Sequence, residues 1–381
     1  AGSNGGGMHI CNPSYPTINE CTFVGNTADK NGGGMFNGEE SAPFITNCTF
    51  YNNHAGIQKS FENLGDVCSD DVRYGYGGGM TNTYKSAPMV RNCLFQDNTA
   101  VWAGGGMSNL IKYSESPMPK IVNCVFVGNE VFGIEQERSS IGNGITPPLM
   151  SAGGGGMYCG NVTAPIVTNC TFTQNIIPYY SPDGTYDGEN GGGITNNGGT
   201  ATYTNCIVWN NYPNNVLNVI GNESTFTYCD IGGGFSGEGN INTDPLFKNA
   251  PSDLSLQNGS PCIDTGTNTS GPRYGNVTDD FNGVMRPQRM GYDMGAYEYI
   301  FPIWSPVSIM PLARTQLAHV LEGWSTLSEQ LPEEPTDEMT ELIERIQAYV
   351  QNATGLANPV YASGQLSKAA EAMGQLAALL T

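Results

Sequence analysis

Gly32-Gly33-Gly34-Met35 is followed, 13 residues after the methionine, by Cys48 in the stretch Phe44-Ile45-Thr46-Asn47-Cys48-Thr49-Phe50-Tyr51-Asn52-Asn53. The pair of motifs recurs along the chain. Glycine triplets end in Met8, Met35, Met80, Met107 and Met157, and two more end in Ile194 and Phe235. Cys21, Cys48, Cys93, Cys124, Cys170 and Cys206 mark the second half. The interval from Met to Cys is 13 residues in four copies, 17 in one, and 12 from Ile194 to Cys206. From Cys to the next triplet it is 14 in two copies, so the basic period is 27 residues. Self-similarity at this period is the mark of a solenoid.

Each unit holds short β-type runs rich in β-branched and aromatic residues, with no helical stretch. Cys48 and Phe50, two apart, share one face of a strand, read here as the core face. Glycine triplets allow the tight corners that join strands. Asn26, Asn53, Asn98, Asn129 and Asn175 each fall five residues after the cysteine. A polar amide at one register of every coil suits a stacked ladder in a turn. The leucine pattern of a leucine-rich horseshoe is absent. The fold expected is mainly β: a right-handed parallel β-helix solenoid over 1–300, followed by a small C-terminal α-helical domain of about three helices over 301–381.

Departures from the period are equally informative. Cys48 to Met80 spans 32 residues, Cys124 to Met157 33, and Cys170 to Ile194 24, against the basic 14. Insertions at one register emerge on one side of a solenoid. The loops near 54–74, 130–152 and 176–190 should therefore share a flank, either for binding or as solvent-exposed decoration. Tyr179, Tyr180 and Tyr186 would serve a glycan-binding flank. Asp183, Asp187 and Glu189 are the candidate metal ligands, for calcium, although the loop lacks the full spacing of an EF-hand. No other cofactor is implied.

With 15 basic and 35 acidic residues the net charge is −20, which argues against nucleic-acid partners. Charged residues are 13%, against about 25% in ordinary globular proteins, and glycine numbers 51. An uncharged polar surface of this kind suits an exported protein. No stretch is long and apolar enough to span a membrane. The chain opens at Ala1, almost inside a repeat, as would a mature chain after loss of an export signal, or a shortened one.

Seven of the eleven cysteines, the six above and Cys229, belong to the repeat. Stacked in parallel coils their Cβ atoms would lie about 5 Å apart, too far for a disulfide. They are expected as buried thiols, and Cys11, Cys68, Cys159 and Cys262 are the disulfide candidates. Glycosylation sequons include Asn161, Asn222 and Asn276; those at Asn47 and Asn169 fall in expected core strands. His9, His54 and His319 have no recognisable catalytic partners. Asn242-Thr243-Asp244 superficially matches a glycosidase signature.

Residues 1–235, with their Gly-Gly-Gly-Met and Asn-Cys-Thr-Phe-x-x-Asn units, resemble secreted right-handed β-helix proteins related to pectate lyases and polymorphic outer-membrane proteins. Residues 242–299 look like the closing segment of β-helix proteins with a choice-of-anchor domain. The matching pieces are Asn242-Thr243-Asp244-Pro245-Leu246-Phe247, Leu254-Ser255-Leu256, Ser260-Pro261-Cys262-Ile263-Asp264-Thr265-Gly266, Arg286-Pro287 and Asp293-Met294-Gly295-Ala296-Tyr297-Glu298-Tyr299. The resemblance implies export and surface attachment, without implying an enzyme activity.

Beyond Tyr299 the pattern turns helical. Leu317, Val320, Leu321, Trp324, Leu327 and Leu331 keep helix spacing, as do Met339, Leu342, Ile343, Ile346 and Val350. Thr336 is the expected N-cap of the second helix and Gly355 its stop. A third run, from near Ser363, holds Leu366, Ala370, Met373, Leu376 and Leu380. This tail either caps the solenoid or serves assembly. The function expected is that of a non-catalytic extracellular structural protein, a cell-surface, filament, sheath or layer subunit with adhesive character. It would self-associate into a homo-oligomer or polymer through its β-helix end or helical tail. The alternative is a β-helix protein that binds or cleaves polysaccharide, with glycans as partners.

Overall fold

The structure, a computed structural model, describes residues 3–56, 75–111, 118–132, 153–160, 164–177, 191–219, 224–288, 291–300, 311–332, 335–354 and 359–380. The chain divides into two compact units, Ala1–Arg286 with Gly291–Glu298, and Pro287–Met290 with Tyr299–Thr381.

The first unit is a parallel β-helix. Among the described residues three seven-stranded sheets run along it, and every neighbour in them is parallel and one repeat removed. One sheet begins with Met8–Ile10, Met35–Asn37 and Met80–Tyr84. A second begins with Thr17–Asn19, Phe44–Thr46 and Met89–Arg91, and a third with Thr22–Val24, Thr49–Tyr51 and Leu94–Gln96. A four-stranded sheet of two-residue strands joins Thr27–Ala28, His54–Ala55, Thr99–Ala100 and Glu130–Val131.

Inward side chains stack like on like. Phe23, Phe50, Phe95, Phe126 and Phe172 form a column with ring centroids 4.6–4.7 Å apart and planes within 6° of parallel. That separation is the strand spacing itself. Met35, Met80, Met107 and Met157, in the sheet that begins with Met8–Ile10, are fully buried. The backbone explains why the repeat is spelled as it is. Gly32 adopts φ +67°, which a side chain disfavours, and a Cβ on Gly33 would lie 2.4 Å from His54 O and 2.5 Å from Gly78 O.

The run 44–50 is not the continuous strand its composition suggests. Asn47, like Asn92, Asn123, Asn169 and Asn205, sits at φ 49–53°, turning the chain between two three-residue strands. Asparagine tolerates this left-handed corner better than other side chains. Cys48 and Phe50 both face the core, but from a corner and the next strand. For the same reason Asn47 and Asn169 occupy corners, not core strands.

The expected amide ladder is present and extends further. Asn26, Asn53, Asn98 and Asn129 each donate Nδ2 to the Oδ1 of the next ladder asparagine, and the ladder continues from Asn175 to Asn211 and from Asn211 to Asn215, at 2.8–3.0 Å. Each of these Oδ1 atoms also accepts the backbone N–H of the preceding ladder residue. The buried polar groups of this turn thereby satisfy one another, which a buried amide requires.

Residues 242–286 and 291–298 fold back along the outside of the coils. Leu254 and Ala296 pack on Val125 and Val127, with Phe247, Phe281 and Tyr297 around them. Asn123 donates to Asp279 O, Asn169 to Asp293 O and Asn205 to Thr267 O. Arg91 pairs with Asp279. The outward residues of the strand Val125–Val127 are consequently buried, whereas those of Thr22–Val24 are exposed.

The second unit holds helices α1 (Pro311–Ser328), α2 (Asp337–Thr354) and α3 (Pro359–Leu379). Leu327 meets Met339, Leu342 and Ile346 of α2 and Ala372 and Leu376 of α3. Val320 packs on Leu366 and Ala369. Thr336 caps α2, its Oγ1 accepting the N–H of Met339 at 3.3 Å. The third helix starts at Pro359 rather than near Ser363, proline being well suited to a first turn. Ala370 faces water, and Ala369 and Ala372 take the buried positions.

Candidate functional site

The three large insertions leave and rejoin the coil at one register, after the short fourth sheet and before the glycine triplet. The outward column of that register reads Thr27, His54, Thr99, Glu130, Ile176 and Tyr212, each paired with the next. His54 Nδ1 lies 2.8 Å from Thr99 Oγ1. Burial holds the imidazole below its ordinary pKa and pushes the Glu130 carboxyl above its own. His54 and Glu130 stand two rungs apart, roughly 10 Å by strand spacing, with Thr99 between them. Glu130 is the column's one carboxylate, whereas paired-carboxylate hydrolysis needs two at a set separation.

Asp183, Asp187 and Glu189 lie outside the described residues, as do Tyr179, Tyr180, Tyr186, Asn161, Asn222 and Cys68. Among the described residues no three metal-ligating side chains converge. Asn276 is exposed at a left-handed corner of the closing segment. His9 stacks edge-on against Phe36, with centroids 4.8 Å apart, and His319 is exposed on α1.

The repeat cysteines are free thiols, and those from Cys48 to Cys229 are buried. Each donates to the carbonyl two residues earlier at 3.2–3.5 Å, as Cys48 does to Thr46 O and Cys206 to Thr204 O. Burial pushes the Cys93, Cys170 and Cys229 thiols well above the ordinary range, so these are neutral S–H groups.

Cys11, Cys159 and Cys262 are also free thiols, the first half-buried. Cys159 belongs to a second amide ladder that sequence reasoning missed. Asn37 Nδ2 donates to Asn82 Oδ1 at 2.8 Å and Asn82 Nδ2 to Asn109 Oδ1 at 2.9 Å. Asn109 Nδ2 then meets Cys159 Sγ at 3.9 Å, and Tyr203 Oη lies 3.6 Å from that sulfur. The signal was available: each of these residues stands two after the triplet-closing methionine. Cys262 Sγ points at Asp230 Oδ2, 3.2 Å away. Burial, the largest influence, raises the Asp230 carboxyl to about 6.

The acidic and basic residues of the closing segment act as a clamp. Arg286 and Glu298 form a buried ion pair at 2.9 Å, and Arg286 also donates to Asp293 O and Gly295 O. Asp293 Oδ1 accepts Asp264 N–H, and Asp280 accepts Asn282, Val284 and Glu298 N–H. In the glycosidase-like tripeptide, Asp244 Oδ1 accepts Leu246 N–H and Thr243 N–H bonds Asp230 Oδ1, so it forms a turn.

No helix among the described residues is long and apolar enough to cross a membrane. No curated protein matches the chain. Residues 1–147 match the family model described as the right handed beta helix region, which agrees with the stacked parallel strands seen here.

Proposed function

We propose that the protein is a non-catalytic structural solenoid of the extracellular space or cell surface. Its β-helix serves as a stiff spacer that holds loops on one flank. The observation that carries this reading is where the repeat spends its polar chemistry. Asparagine amides and cysteine thiols that recur in every coil are directed inward, bonded to the next coil, and unavailable to a substrate. The closing segment adds a buried ion pair and backbone-capping carboxylates, again bonded internally. Secretion, surface attachment through the closing segment, glycosylation at Asn276, adhesion, and self-association through the solenoid end or helical tail belong to the same proposal.

The test combines two measurements on the full chain. Sedimentation and negative-stain microscopy over a concentration series should show particles that associate as concentration rises. Incubation with pectin, alginate and xylan should release neither unsaturated products nor new reducing ends. A particle that stays strictly monomeric at every concentration, or turnover of any of these polymers, would overturn the proposal.

A further inference from the structure

The outer corner that carries Asn47 is a docking groove, and the closing segment fills only part of it. Counting coils by their cysteines from Cys21, the corner reads Glu20, Asn47, Asn92, Asn123, Asn169 and Asn205, each at φ 49–55°. From the fourth coil to the sixth these amides hold the closing segment by its backbone. Asn123 Nδ2 donates to Asp279 O at 2.7 Å, Asn169 Nδ2 to Asp293 O at 3.1 Å and Asn205 Nδ2 to Thr267 O at 2.8 Å. At the third coil Arg91 takes over, donating to Gly275 O and Asn276 O. The segment therefore climbs the corner to the third coil, turns at Pro272–Tyr274 and descends.

The outward columns on either side record where this cover stops. On the third sheet Val127 is buried and Gln96 half-buried, whereas Tyr51 is 41% and Val24 56% exposed. On the second sheet a Cβ on Gly275 would lie 3.0 Å from Met89 Cε, so Met89 is covered, but Phe44, its neighbour in the column, is 42% exposed. The corner amides agree. A side-chain amide has two donor hydrogens. Asn123 gives one to Asn92 Oδ1 at 3.2 Å and the other to Asp279 O. Asn92 and Asn47 give one to Asn47 Oδ1 and Asn19 Oδ1, and among the described residues the second meets no acceptor. The bare stretch thus repeats the chemistry of the covered one: amide donors along the corner, with apolar side chains flanking them.

We propose that this bare stretch receives the Pro272–Tyr274 turn of a second copy of the chain, in an antiparallel two-fold pair. A projection standing beside a hollow on one face is self-complementary under a two-fold axis, which is how isologous dimers close. Pro272 and Arg273 are exposed at the tip of the turn, one coil from the hollow. Charge matches as well. Glu20 is an exposed carboxylate at the far end of the bare stretch, and Arg273 is the exposed cation of the turn, so each copy's arginine meets the other copy's glutamate. This pairing rests on the self-association proposed above and gives it a lateral face, separate from the solenoid end and the helical tail.

The experiment is sedimentation equilibrium on the full chain and on Glu20→Arg, Arg273→Glu and Phe44→Asp. All three positions are exposed, and circular dichroism of the variants should match the wild type. The wild type should pair reversibly, and each variant should raise the dissociation constant roughly tenfold or more. An equimolar mixture of Glu20→Arg and Arg273→Glu should pair again, because the mixed pair restores both opposite-charge contacts. A folding defect in either variant could not produce that rescue. Association undiminished in all three variants, or a mixture as weak as its parents, would overturn this pairing and leave self-association standing. A wild-type chain that stays monomeric at every concentration would overturn both.

Discussion

Replacing Asn98 by alanine should cost about 4 kcal/mol of stability, and the structure shows where that figure arises. Asn98 is fully buried in the middle of the ladder. Its Nδ2 donates to Phe50 O at 2.8 Å and to Asn129 Oδ1 at 3.0 Å. Its Oδ1 accepts from both Asn53 N and Asn53 Nδ2, at 3.0 and 2.9 Å. Alanine leaves the Asn53 backbone N–H with no replacement acceptor in a dry turn, which costs about 1–3 kcal/mol. The three other lost bonds contribute about 0.5–1.5 kcal/mol each. Asn26 is the control. It is only half-buried, and removing its side chain leaves Asn53 Oδ1 still accepting the Asn26 N–H. Asn26→Ala should therefore cost about 1 kcal/mol. Urea unfolding followed by far-ultraviolet circular dichroism measures both. Equal losses for the two variants, or a loss below about 1 kcal/mol for Asn98→Ala, would refute the ladder as a source of stability.

Other outcomes follow from single sites. Asp230 titrates near 6 in the fold against 3.8 unfolded, so the native state holds its proton more tightly. That stabilising contribution is complete below pH ~4 and is lost as pH rises through about 6, by at most about 3 kcal/mol. Asp230→Asn should flatten this decline and be the more stable chain at pH 7.5, which thermal melts across pH 4–8 will read. A melting profile for the variant that keeps the wild-type decline would place it elsewhere. Gly33→Ala should abolish soluble folded protein, because its Cβ would meet backbone oxygens at 2.4 and 2.5 Å. Gly25→Ala, with open space around it but φ +65°, should cost only about 1 kcal/mol; circular dichroism and yield separate the two. Finally, an aromatic disulfide reagent should leave Cys48, Cys93, Cys124, Cys159, Cys170, Cys206, Cys229 and Cys262 unmodified in the native state and label them in urea, with peptide mass spectrometry as the readout. Rapid native labelling of a ladder cysteine would contradict its burial.

The solenoid was legible in the sequence because one coil's geometry is imposed on the next. Close backbone approach demands glycine at 33, and a left-handed corner favours asparagine at 47, so the same letters return at the same interval. The corner at Asn47 was misread as strand because its β-branched neighbours satisfy strand preferences on both sides. The Asn37–Asn82–Asn109 ladder was equally periodic, yet Cys159 interrupts it before Asn196 and Asn218 resume it, and that substitution hid the column. The return path of residues 242–286 and 291–298 was not legible at all. Several of its contacts join residues more than 100 positions apart, such as Thr171 Oγ1 with Ala296 N–H. The one local hint, Val125 and Val127 turning outward, is also what an exposed strand tolerates.

The coaxial stacking of polar ladders is tested most directly by side-chain amide hydrogen exchange in the isotope-labelled chain. The Nδ2 hydrogens of Asn53, Asn98, Asn129 and Asn175 should persist for hours in deuterated buffer, while those of exposed Asn258 and Asn268 vanish within the dead time. Exchange of all six at the rate of exposed asparagine would contradict the stacked solenoid described here.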